Sequence, residues 1–138
     1  MEEKQALAHK TERQLKRIAE SLGLEHEWKT RIEGAEIDAV WFKTFPPPLS
    51  RIPIVGFEIE TSKRTSKHIK GDIFNLLSLH PSIGVMIFIK KGYADEKEWT
   101  GNMKGAEKFA EEFKGLSRIL VWSEEEVEKM VKESKITS

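Results

Sequence analysis

Three acidic side chains, Asp38, Glu58 and Glu60, stand where chemistry could be done. The run from Pro53 to Glu60 reads PIVGFEIE. Side chains alternate across an extended segment, so Glu58 and Glu60 share one face while Val55, Phe57 and Ile59 make an apolar opposite face. Asp38 sits among apolar neighbours in EIDAVWFK. If the two runs pair as a hairpin, Asp38 comes beside Glu58, and three converging carboxylates cannot all stay ionised in a low dielectric without a cation. Hard oxygen ligands of this kind suit Mg²⁺ or Mn²⁺. Glu12 adds a fourth acid, on an apolar helical stripe between Ala8 and Leu15. A core-facing carboxylate needs a partner, and the metal site could supply it. For each acid alone, the competing reading is a solvated strand end or, for Asp38, a turn cap.

A basic run follows at once: Ser62-Lys63-Arg64-Thr65-Ser66-Lys67-His68-Ile69-Lys70. It leads into a helix start, where free N–H groups and the macrodipole attract anions. Lys63, Arg64, Lys67 and Lys70 add positive charge there. Carboxylates beside a basic helix start suit phosphodiester chemistry, with cations on the reacting phosphate and its neighbours. The alternative for each lysine is an ordinary solvated helix face. Gly71 inside the same helix suggests a close approach to the sheet or to a ligand.

The elements that must position these residues can be read from periodicity. Ala8, Leu15, Ala19 and Leu22 give a helical stripe over Glu3 to Leu22, ended by Gly23. Three strand-like runs follow: Leu24 to Ile32, near an edge, then Glu36 to Lys43 and Pro53 to Glu60. Pro46, Pro47 and Pro48 break the chain between the last two, because proline cannot donate to a ladder. A helix over Thr65 to Leu79 carries Ile69, Ile73, Leu76 and Leu77 on one face. Ile83 to Ile89 is apolar throughout, as a strand covered on both faces should be. A polar loop from Lys90 to Thr100 leads to a helix with Ala106, Phe109, Ala110 and Phe113 inward. Arg118 to Trp122 is a final strand, and Ser123 with Glu126 forms a capping box for a last helix bearing Val127, Met130 and Val131, with fraying after Ser134. The reading is an α/β fold in one domain over 1–138, with an antiparallel meander and then right-handed parallel crossovers.

Composition narrows the function classes. The 138 residues hold no cysteine, which excludes disulfides, cysteine-ligated zinc and a thiol nucleophile. Acidic and basic side chains balance, 23 against 23, so any nucleic-acid binding must come from a local patch. No apolar run approaches membrane-spanning length and no secretory signal is evident, which points to the cytoplasm. The Glu- and Lys-rich charge, with few Asn and Gln, resembles a thermophile's composition. There is no glycine-rich phosphate loop. His9, His26, His68 and His80 lack zinc-motif spacing, and His26, between two glutamates, reads as a surface strand residue. Tyr93 and Trp99 read as covering the sheet edge, with base stacking as the alternative.

The segments TERQLKRIAESLG, EIDAVWF and IVGFEIETSK, in that order, resemble the successive motifs of the PD-(D/E)XK phosphodiesterase superfamily, which includes restriction endonucleases and archaeal Holliday junction resolvases. The resemblance covers Thr11 to Ile89. It implies a restriction-endonuclease-like αβββαβ core with a mixed central sheet, here extended by a further α-β-α. It also implies Mg²⁺- or Mn²⁺-dependent hydrolysis of a phosphodiester, with DNA the expected substrate and a homodimer the expected assembly. Asp38 and Glu58 match the motif's metal ligands, and Glu12 matches the first-helix acid of some members. The family lysine should fall at position 60, where this chain has Glu60. Some restriction endonucleases are similar in carrying Glu-x-Glu there, and Lys63, Lys67 or Lys70 could deliver an ammonium instead. The resemblance thus assigns catalysis to Asp38, Glu58, Glu60 and Lys63. The departure at Glu60 leaves a second expectation, a nuclease-like scaffold serving as a nucleic-acid-binding or assembly subunit.

Overall fold

The computed structural model describes residues 2–32, 34–116 and 118–137, the last three by backbone only. Its elements are α1 (Glu2–Ser21), β1 (Glu25–Ile32), β2 (Ala35–Thr44), β3 (Arg51–Glu60), α2 (Ser66–Leu79), β4 (Ile83–Phe88), a short 3₁₀ turn (Lys90–Gly92), α3 (Glu96–Glu112), β5 (Arg118–Ser123) and α4 (Glu124–Thr137). The five strands form one mixed sheet in sequence order. β1, β2 and β3 are an antiparallel meander, while β3–β4 and β4–β5 pair in parallel through the helical crossovers α2 and α3.

Each face of the sheet is covered by two helices. On one side Leu15, Ile18 and Ala19 of α1 and Val127 and Val131 of α4 pack on Trp41, Phe57, Ile59, Val85 and Ile87. On the other, Ile69, Ile73 and Leu76 of α2 and Ala106 of α3 pack on Val40, Met86 and Phe88. β4, with IGVMIF buried from Gly84 onward, is therefore the interior strand, covered on both faces, that its unbroken apolar run predicts. β1 lies at the edge, as its mixed sequence suggests.

Several local expectations are corrected. Leu22 lies beyond the end of α1 and is 56% exposed; Ile18 takes its place in the core stripe. α3 starts at Glu96 instead of after Thr100, because the Asp95 carboxylate accepts the Glu98 N–H at 2.8 Å and caps it there. Tyr93, just before α3, and Trp99, on its inner face, are both buried, the Trp99 indole donating to the Phe88 carbonyl at 3.0 Å, so neither ring is presented for stacking on a base. The His26 side chain is only 4% exposed, facing α1 instead of solvent. A Cβ on Gly71 would meet nothing within 4 Å, so no close approach explains that glycine. The backbone of α4 continues past Ser134 to Thr137, and Ser138 lies outside the described residues. The Ser123–Glu126 capping box is present, with Ser123 Oγ donating to Glu126 at 2.8 Å and accepting the Glu125 N–H at 3.2 Å.

Candidate metal centre

The acids are gathered where two strands part. The β2–β3 ladder pairs Ala39 with Phe57 and has no partner pair beyond it. There the side chains take over the backbone's role: the Asp38 N–H donates to Glu58 Oε1 at 2.9 Å, and the Ile59 N–H donates to Asp38 Oδ2 at 2.7 Å. This reciprocal exchange satisfies two donors that would otherwise be buried and unpaired. It also fixes both carboxylates in place. Glu58 and Glu60 point to the α2 side of the sheet, as strand alternation requires, and are 4% and 3% exposed.

From α2, Asp72 joins them at 9% exposure. It falls three residues after Ile69 and four before Leu76, so the helix period puts it on the buried face. His68 lies one turn earlier, its Nε2 3.3 Å from Asp72 Oδ2 and 3.8 Å from Glu60 Oε1. One oxygen or nitrogen from each of Glu60, His68 and Asp72 falls within 4.8 Å of the others. These residues line a cleft of about 520 Å³ with Asp38, Glu58, Lys4, Lys29 and Arg64.

So many acids in one buried place resist ionisation. Burial, then the neighbouring Asp38 and Asp72 charges, holds the Glu58 carboxyl well above the usual carboxylate range, against the pull of the Asp38 N–H. Burial and Asp72 push Glu60 up to about 8, although Arg64 opposes them. The Arg64 Nε donates to Glu60 Oε2 at 2.8 Å. Arg64 is itself clamped by α3: its N–H donates to Asn102 Oδ1 at 2.8 Å, and Asn102 Nδ2 donates back to its carbonyl at 3.0 Å. Tyr93 completes the chain, donating its hydroxyl to Asn102 Oδ1 at 2.9 Å.

The cations read from the sequence are distributed differently. Arg64 reaches the cleft, whereas Lys63 lines a separate shallow groove with Asp95, Lys97 and Asn102. Lys67 borders a third groove with His68 and Asp72. The Lys70 ammonium lies 4.6 Å over the Phe109 ring. Glu12 does not line the cleft; its carboxylate meets His26 Nε2 at 2.6 Å and ties α1 to β1. An ammonium comes instead from Lys29 of β1, whose Nζ lies 3.1 Å from Asp38 Oδ1. Lys29 falls between the paired Trp28–Ala39 and Thr30–Ile37 of the β1–β2 ladder, at the level of Asp38 but unpaired in the register, and has φ of +58°. That left-handed conformation costs an L-residue about 1–2 kcal/mol, and such strain gathers at functional sites.

Sequence reasoning missed Asp72, His68 and Lys29 as parts of this cleft. The first had a usable signal, an acid on the apolar face of a helix, and His68 lies one turn before it. The strained conformation of Lys29 left no mark in the sequence.

No family model matches the chain, and comparison with curated proteins and with solved structures finds no match for it. Among the described residues, no helix is long and apolar enough to cross a membrane.

Proposed function

We propose that this protein is a divalent-cation-dependent phosphodiester hydrolase acting on DNA. The observation that carries the reading is the Asp38–Glu58 exchange at the parting strands, which holds two carboxylates rigidly in a cleft where burial raises Glu58 and the neighbouring Glu60 toward the protonated state. The donor set fits Mg²⁺ or Mn²⁺: it is rich in carboxylate oxygen, pre-positioned, and electrostatically unfavourable without a positive charge. Asp38, Glu58 and Glu60 would hold the cation. When bound, such an ion stabilises charge on a phosphodiester oxygen and makes hydroxide accessible near neutral pH.

The chain's own residues do the rest. Backbone N–H groups occupy Asp38 Oδ2 and Glu58 Oε1, which fixes the direction of the remaining oxygens. Arg64, held by Asn102, and Lys29 flank the acids and supply positive charge for the phosphates beside the scissile one. Lys29 places an ammonium next to Asp38, and this offsets the glutamate at the position where the resembling family has lysine. DNA, in preference to RNA, is supported by the resemblance alone. The reading places the protein in the cytoplasm as part of the proposal. A homodimer, with one site for each strand, draws support from β5, the outer strand, whose ILVW run is only partly buried.

The second reading, a binding or assembly subunit on the same scaffold, is favoured by Glu60 and by the positions of Lys63 and Lys70 away from the cleft. Calorimetric titration of Mg²⁺ and Mn²⁺, with cleavage of plasmid and branched DNA by the same samples, separates the two. Asp38→Asn and Glu58→Gln are the informative variants, since each keeps an acceptor oxygen for its backbone N–H. Metal-dependent nicking lost in both variants is the expected result. Wild-type protein that binds DNA but shows no cleavage with either ion would leave the subunit reading standing.

A further inference from the structure

We propose that Glu60, His68 and Asp72 form a second cation position, distinct from Asp38 and Glu58, whose imidazole makes it a site for a transition metal such as Mn²⁺ or Zn²⁺ ahead of Mg²⁺. The three ligand atoms already lie within 4.8 Å of one another. Bonds of about 2.0–2.2 Å to a shared ion place neighbouring ligands about 3–3.5 Å apart, and the His68–Asp72 distance of 3.3 Å falls in that range. Two of the three groups are buried acids.

A second, independent observation points to a ligand. Asp72 is a buried residue, and its Oδ2 atom, shielded from solvent and 3.3 Å from His68 Nε2, makes no hydrogen bond of good geometry. A buried carboxylate oxygen without a well-placed donor is costly, and a cation between it and the imidazole removes that cost. Arg64 leaves room for this: its Nε is on Glu60 Oε2, while Oε1 faces His68. The glutamate at position 60 then has a purpose of its own, as the bridge between the Asp38–Glu58 pair and α2.

Ligand chemistry sets the selectivity. Mg²⁺ prefers an all-oxygen octahedron with several waters, whereas imidazole suits Mn²⁺, Zn²⁺ and their neighbours. This inference rests on a metal-binding cleft but not on hydrolysis. The test is calorimetric titration of the full chain with Mg²⁺, Mn²⁺ and Zn²⁺ separately, on wild type, His68→Ala, Asp72→Asn and Asp38→Asn. His68 is 44% exposed in its side chain, so its truncation should leave the fold intact, as far-UV circular dichroism would register.

His68→Ala should weaken Mn²⁺ and Zn²⁺ at least about tenfold, a loss typical even of an outer partner of a metal ligand, while Mg²⁺ affinity stays within about twofold. Asp72→Asn should behave likewise, and Asp38→Asn should spare the His68-dependent component. Equal Mn²⁺ and Zn²⁺ affinities in wild type and His68→Ala would overturn the site, as would no binding of either ion to wild type. His68-dependent binding in a protein that cleaves nothing would support this site and refute the hydrolase. Cleavage with unchanged metal affinities in His68→Ala would do the reverse.

Discussion

Raising the pH of the metal-free protein should destabilise it, through Glu60. In the unfolded chain this carboxyl titrates near 4.5, and in the folded protein burial and Asp72 move it to about 8. Below the lower value both states hold the proton and Glu60 contributes nothing to the pH dependence. Above it the unfolded chain releases the proton while the folded protein keeps it, so stability falls by about 1.4 kcal/mol per pH unit until the folded value is reached. The full interval corresponds to about 5 kcal/mol, a large part of the roughly 5–15 kcal/mol typical of a domain's stability. Glu58, also raised by burial, acts in the same direction. Urea denaturation in EDTA at several values between about pH 5 and pH 8, on wild type and Glu60→Gln, isolates the effect. The variant should decline less steeply, keeping only the part due to Glu58, and saturating Mn²⁺ should flatten the wild-type curve. Parallel curves for the two proteins would refute the account of Glu60 as a buried, proton-holding acid.

Three further outcomes follow from packing. Gly71→Ala should stabilise the protein by about 0.5–1 kcal/mol in thermal or urea unfolding, since the methyl meets open space inside α2. Gly92→Ala should cost about 2–3 kcal/mol and weaken metal binding, because its Cβ would overlap the Thr61 backbone directly after Glu60. Glu12→Ala should lose about 1–3 kcal/mol by stranding the buried His26 Nε2, with Glu12→Gln recovering part of the loss, as differential denaturation would show.

The element order and the mixed sheet were legible because each strand and helix carries its own period, and β4 its unbroken apolar run. The meeting of Asp38 with Glu58 followed from one assumption, that adjacent strands pair. What stayed hidden depended on distance along the chain. Asp72 belongs to the cleft because α2 crosses back over β3, and no local pattern encodes that crossing angle. Closeness in sequence to the acids points to the wrong lysines: Lys63 leaves the cleft and Lys70 turns to Phe109, while Lys29 arrives from a strand twenty-nine residues before Glu58. The two glutamates that flank His26 suggest a surface position, but alternation turns them outward and the imidazole inward.

The exchange between Asp38, Glu58 and the neighbouring backbone has a consequence for how such a chain can drift over generations. The same oxygens that would bind a cation also close the gap where β2 and β3 separate. A descendant that lost all chemistry would still need acceptors at positions 38 and 58 to keep its strands together, so selection on folding alone would tend to retain an acid or its amide at both. Glu60, His68 and Lys29 have no such backbone duty among the described hydrogen bonds. The fate of those three residues across relatives, more than that of the two motif acids, would therefore record whether a lineage kept its reaction.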